Sequence, residues 1–265
     1  MQYLREHIKK LLRNSVIKPS FSSYSSPMFL VPKPGRAYCA VVDFRALNKH
    51  VATESVPLLD IHSAFHWFAK AKYFTILDLN QACHQIPLAV SSKPLAAFCT
   101  DWNLYQYTCV PFGLATGAQV LTRLLDCVFQ DLKFDFVYHY LDDVVIYSEN
   151  FESHLEHIHM VLDRLRMAGL TIKPEKVVFA TQKISFLGHL VSPARVCIDS
   201  ECTRAIREFP TPRDTKGISR CISMANFYHK FIPRLADVAA PVNTLRKKGV
   251  KFVCVDRNNK RLVKF

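Results

Sequence analysis

No apolar run in the 265 residues is long enough to cross a bilayer. The opening segment (Leu4, Ile8, Leu11, Leu12) is amphipathic with a basic outer face, which is not how a signal peptide reads. The nine cysteines contain no C-x-x-C pair and no histidine spacing that builds a zinc site. Without an export signal, reduced thiols in an intracellular protein, cytoplasmic or nuclear, are expected. Internal repeats and low-complexity tracts are absent too, and the composition is not that of a disordered chain. Acid is scarce: 22 Asp and Glu face 35 Lys and Arg, a net charge of +13. A folded chain that basic most often meets nucleic acid or, less often, an anionic membrane; with no spanning run, nucleic acid and no membrane is the expectation. Apolar residues make up 49% of it, enough for one large domain or two modest ones.

Against that shortage of acid, two apolar segments place carboxylates where burial would be costly. One is Tyr73-Phe-Thr-Ile-Leu-Asp78-Leu; the other is Tyr138-His-Tyr140-Leu-Asp142-Asp143-Val-Val-Ile-Tyr147. The second reads as a hairpin with both acids at its tip, and the first as a strand ending in its acid. Taken alone, Asp-Asp makes an ordinary hairpin turn. If the two strands are neighbours, three carboxylates converge and define a site for hard divalent cations, suited to phosphoryl transfer on a polyanion.

Helices are expected over 1–14, 61–71, 117–130, 151–168 (closed by Gly169), 215–231 and 239–248. Strands are expected around the turn at 32–36, over 95–100 and 105–110, and near 177–179 and 184–191, with 16–26 an irregular connector. His154, His157 and His159 do not share a helix face well and are expected to be exposed polar residues rather than metal ligands. Trp102 suits either a hairpin core or a stacking platform for template bases. Helices covering one face of an antiparallel sheet give an α+β layer.

In this order the motifs resemble the reverse transcriptase of long-terminal-repeat retroelements of the Ty3/gypsy type, and more distantly retroviral polymerases. Val42-Asp-Phe-Arg-Ala-Leu-Asn48 resembles the fingers motif, and Leu77-Asp78-Leu79 with His84-Gln85-Ile86 resembles motif A. Val110-Pro-Phe-Gly-Leu114 resembles motif B, Tyr140-Leu-Asp-Asp143 motif C and Lys173-Pro-Glu-Lys176 motif D. Phe186-Leu187-Gly188-His189 resembles the primer-gripping hairpin.

The resemblance implies a right-hand polymerase. Its fingers would be 1–70 and 83–116, with a ferredoxin-like palm at 71–82 and 117–192 and a small helical thumb or connection at 193–265. It implies that Asp78, Asp142 and Asp143 bind two Mg²⁺ ions, with Mn²⁺ an alternative and the Leu79 carbonyl a further ligand. The substrates would be deoxynucleoside triphosphates on an RNA or DNA template with primer; an oligomeric state is not implied. Lys33, Cys83, Phe112, Gly113 and Lys176 would meet the nucleotide, Lys176 as the lysine that protonates pyrophosphate. Arg45 and Asn48 would brace the fingers.

Departures from the family pattern are also present. Cys39 stands where an arginine grips the triphosphate, and Cys83 where an aromatic blocks the ribose 2′-hydroxyl. Cys99 replaces an arginine and Cys254 a tryptophan, and motif B continues Ala115-Thr-Gly-Ala118. A second reading follows: an inactive or weakly active retroelement relic that only binds nucleic acid. No Asp-Ser/Thr-Gly protease motif or integrase-type zinc pattern occurs. The chain ends about where the family continues toward ribonuclease H, so a polymerase core without that domain is expected.

Overall fold

Leu4, Ile8 and Leu11, one helical face of α1 (Gln2–Arg13), are all buried, as their spacing requires. In the computed structural model, residues 2–32, 38–52, 61–193, 195–198, 204, 207–212, 214–229 and 232–246 are described. They fall into two units, Met1–Thr181 and Gln182–Phe265. Among the described residues no helix is long and apolar enough to cross a membrane.

In the first unit α1 packs beside a five-stranded sheet of order β1-β6-β5-β2-β3. Its strands are β1 (Ile17–Pro19), β2 (Ser26–Pro32), β3 (Tyr38–Val42), β5 (Ala97–Cys99) and β6 (Leu104–Tyr107). Phe44, Phe98, Tyr105 and Tyr107 fill its core, and Trp102 packs partly buried against it with the Arg5 guanidinium 5.4 Å from the ring centroid. Trp102 is thus a hairpin-core residue. β1 lies in the stretch read as an irregular connector. A three-residue edge strand carries too little alternation to be seen in sequence. The short helix α2 (Arg45–Asn48) follows β3.

The second sheet has order β7-β8-β4-β9, built from β4 (Tyr73–Asp78), β7 (Val137–Tyr140), β8 (Asp143–Ser148) and β9 (Val178–Thr181). Leu77, Val144 and Ile146 face α4 (Gly117–Val128) and α5 (Phe151–Met167), closing a core with Leu121, Leu125, Ile158, Val161 and Leu165. Burying side chains of this kind contributes roughly 1.5–3 kcal/mol each. The opposite face is covered as well. Phe68, at the end of α3 (Ile61–Phe68), sets its ring edge-on to Phe74, Tyr138 and Tyr147. The α5 helix starts where the Asn150 side chain accepts a hydrogen bond from the Ser153 amide (2.9 Å), and it ends before Gly169 at φ +70°.

The second unit has a three-stranded sheet, β10 (Ile184–Phe186), β11 (His189–Ser192) and β12 (Arg195–Ile198), and two helices, α6 (Thr215–Phe227) and α7 (Leu235–Thr244), that pack together. The run 184–191, read as one strand, is two: Leu187 (φ 50°) and Gly188 (φ 77°) make the turn. Residues from 247 onward lie outside the described residues.

Candidate active site

Asp78 and Asp143 are register partners at the end of the β4–β8 ladder. Side chains directly opposite one another in an antiparallel pair stand on the same face. Here that is the face away from α4 and α5, because Leu77 and Val144 take the helix side. Asp142 is in the two-residue turn between β7 and β8, where Leu141 adopts φ 54°. A leucine there costs on the order of 1 kcal/mol and marks a turn held by its surroundings. Part of that hold is the Leu79 amide, which donates to the Asp142 carbonyl at 3.0 Å. The three carboxylates therefore meet at one sheet end, with Asp143 in the strand and only Asp142 in the turn.

Burial raises the Asp143 pKa, and the neighbouring charges of Asp142 and Asp78 raise it further; Lys176 works against them. The Lys176 ammonium lies 2.5 Å from Asp78 Oδ2, and that bond raises the lysine pKa in turn. Among the described residues no three His, Cys, Asp or Glu side chains stand ready to ligate one ion. The donor set nevertheless fits a hard divalent cation. The donors are all carboxylate oxygens, Asp143 is raised in pKa by burial and then by the charges of Asp142 and Asp78, and the cation paired with Asp78 is the exposed Lys176.

A cleft of about 260 Å³ adjoins Asp142, lined by Cys83, Phe112, Gly113, Gly117, Ala118 and Leu141 among others. Three of the expected nucleotide-contacting positions thus come together with Asp142. Cys83 is half-buried, its thiol pushed up by burial and by Asp142. The exposed Phe112 ring packs on His84 with centroids 4.7 Å apart. Gly113 is at φ +92°, a conformation that disfavours any side chain. Leu79 is buried.

Two amides hold this architecture, and neither had a substrate role in the sequence. Asn48 Nδ2 donates to the Gly113 carbonyl (2.9 Å), while its Oδ1 accepts from the Ala115 amide (2.8 Å). Gln85 Nε2 donates to the carbonyls of Asn80 (2.7 Å) and Thr171 (3.1 Å), and its Oε1 accepts from the Thr171 amide (2.7 Å). Paired donor and acceptor on one amide is the signal; only its partners needed coordinates.

The α5 histidines differ from expectation. His154 is fully buried, bonded to Thr75 and Ser148, and His157 stacks on Phe136 with centroids 3.8 Å apart. Only His159 is exposed, paired with Asp163. Helical spacing alone could not reveal hydroxyls on the facing sheet. Cys39 pairs with Val31 across the β2–β3 ladder, and its thiol lies 3.8 Å from the Ala40 carbonyl. Lys33 lies outside the described residues. Phe186 and His189 are buried in the second unit, the His189 ring donating through Nδ1 to the Leu187 carbonyl (2.9 Å). Leu187 and Gly188 form the turn between them.

Residues 31–191 match the reverse transcriptase (RNA-dependent DNA polymerase) family. The chain belongs to this family. It is 34% identical over 92% of its length to the retrovirus-related Pol polyprotein from transposon opus of Drosophila melanogaster, and 33% identical over 92% to that from transposon gypsy of the same organism. A Tf2 transposon polyprotein of Schizosaccharomyces pombe is 27% identical over 95% of the chain. The chain spans about a quarter of the two fly relatives (25% and 24%) and 19% of the yeast one. It is thus a Ty3/gypsy-type reverse transcriptase segment. Its polymerase fold resembles foamy viral protease-reverse transcriptase in complex with double-stranded DNA, at TM-score 0.86 and 22% identity, covering 98% of this chain and 46% of that one. The same viral protein in complex with an RNA/DNA hybrid gives TM-score 0.83 at 21% identity, covering 98% and 35%.

Proposed function

We propose that this chain is the polymerase core of an RNA-directed DNA polymerase, extending a primer 3′ end on an RNA or DNA template with deoxynucleoside triphosphates. The observation that carries the reading is the pairing of Asp78 with Asp143 on one sheet face, with Asp142 fastened beside them by the Leu79 amide. Asp78, Asp142 and Asp143 would hold two Mg²⁺ ions, or Mn²⁺, with the Leu79 carbonyl as a further ligand. Such ions lower the pKa of the attacking 3′-hydroxyl and neutralise charge on the leaving pyrophosphate.

The chain's own groups do the placing. Asn48 holds the Gly113–Ala115 backbone against the incoming nucleotide, and Cys83 and Phe112 bound its ribose and base. Lys176 stays protonated at neutral pH and is set to give its proton to pyrophosphate. Lys33 would meet the triphosphate. In this reading 1–70 and 83–116 are fingers, 71–82 and 117–192 palm, and 193–265 a thumb or connection, with Phe186–His189 gripping the primer. The net charge of +13 suits a template–primer duplex.

Primer extension on poly(rA)/oligo(dT) with dTTP and Mg²⁺ or Mn²⁺ tests the proposal. Extension that disappears in Asp142→Asn is expected. Cys39 favours a second reading, because a thiol replaces the permanently charged donor that grips the triphosphate. Salt-sensitive duplex binding without extension would establish that relic instead.

A further inference from the structure

The segment from Thr171 to Thr181 runs antiparallel along β4, and it is fastened near both ends. At the Asp78 end the Asn80 amide donates to the Thr171 carbonyl (2.9 Å), the Lys173 amide to the Asp78 carbonyl (2.8 Å), and Lys176 reaches the Asp78 carboxylate. At the other end the β4–β9 ladder is irregular. Phe74 pairs with Thr181 and Ile76 with Val178, so the register shifts between them, and Ala180 stands at φ 46°. A bulge of this kind leaves a backbone amide without its ladder partner. The Ala180 amide donates instead to Thr75 Oγ1 at 3.0 Å.

Thr75 is fully buried, and so is the side chain that meets it next: His154 of α5, whose Nε2 lies 2.9 Å from the same hydroxyl oxygen. His154 Nδ1 lies 2.8 Å from Ser148 Oγ at the end of β8, and Ser148 Oγ lies 2.8 Å from His157 Nδ1. One assignment of protons leaves none of these donors unpaired. The Ala180 amide gives to Thr75, Thr75 gives to His154 Nε2, His154 gives through Nδ1–H to Ser148, and Ser148 gives to His157. That chain requires a neutral His154 carrying its proton on Nδ1. It ties β9, β4, α5 and β8 together through one buried ring.

We infer that His154 is a positioning residue: acting through Thr75 it fixes the edge strand β9 at its bulge, and so sets where Lys176 meets Asp78. A buried hydroxyl left without its partner is costly, so the strand would re-register or detach without the ring. The consequence for nucleotide addition rests on the polymerase reading above. The consequence for β9 does not.

Hydrogen exchange at the Ala180 amide, measured on the full chain, decides the matter. Thr75→Val and His154→Leu are expected to speed that exchange at least ten-fold, while His154→Gln, which keeps an acceptor and a donor, stays close to wild type. Unchanged exchange in His154→Leu overturns the inference. If that variant does not fold, His154→Met, which fills the site without a ring nitrogen, carries the same test with the same two outcomes. Single-nucleotide incorporation supplies the functional arm. His154→Leu combined with Lys176→Met should be no slower than Lys176→Met alone, because both act through one contact. Effects that multiply would make His154 merely a core residue and overturn the inference. Should the wild-type chain extend nothing, the polymerase reading falls while amide exchange still decides this one.

Discussion

Replacing Asn48 should reveal how much nucleotide addition depends on holding the Gly113–Ala115 backbone. Its amide makes two bonds to that loop, one given to the Gly113 carbonyl and one taken from the Ala115 amide. Each is worth about 1 kcal/mol net, so Asn48→Ala removes roughly 2 kcal/mol of restraint. The loop lines the cleft beside Asp142, and the restraint counts fully only when a nucleotide must be held there. At about 1.4 kcal/mol per decade, kcat/KM for dTTP should fall roughly 30-fold. Asn48→Asp keeps the acceptor for Ala115 but loses the donor to Gly113, and should fall about five-fold. Single-nucleotide incorporation under steady-state conditions, with template–primer Kd measured alongside, is the assay. A kcat/KM within two-fold of wild type for Asn48→Ala, or an equal loss in both variants, would refute the reasoning.

Three other outcomes are expected. Asp143→Asn should raise Tm in metal-free buffer by ~2–4 °C, since it relieves a carboxylate raised in pKa by burial and like charge, and it should abolish stabilisation by Mg²⁺; thermal melts with and without the ion check both. Wild type should lose stability on acidification relative to His154→Gln. His154 is held neutral with its pKa lowered to about 4, against 6.5 for the exposed ring, and the unfolded chain therefore binds the extra proton. Stability present above pH 6.5 is lost as pH falls toward 4, by no more than about 3 kcal/mol, and urea unfolding across that window reads the difference. Cys39→Arg should tighten dTTP binding, because it restores a charged bidentate donor; an unaltered KM for dTTP would show that this position does not meet the triphosphate.

Much of the site was legible because its chemistry is local. Asp78, Asp142 and Asp143 stand out as acids in or beside apolar strands, whereas the pairing of those strands was only a condition in the sequence and is supplied by the β4–β8 register. The partners of Lys176 and Asn48 were not legible, since each contact joins residues far apart in sequence: Lys176 to Asp78, Asn48 to Gly113. His154 was misread for a related reason. Its helix is amphipathic, and a histidine within it reads as polar until the hydroxyls of Thr75 and Ser148 are seen across the interface. The turn at Leu187 and Gly188 came only from the resemblance of Phe186–His189 to a hairpin, since two residues at positive φ interrupt a strand pattern without breaking its apolar run.

The most direct test is to replace Mg²⁺ with Fe²⁺ and let ascorbate and peroxide cut the backbone around the bound ion. The account predicts two cut segments, one at Asp78 and one at Asp142–Asp143, both suppressed by excess Mg²⁺ and both lost in Asp143→Asn. Cutting at one segment only, or at neither, would contradict a shared cation site at the end of the β4–β8 ladder.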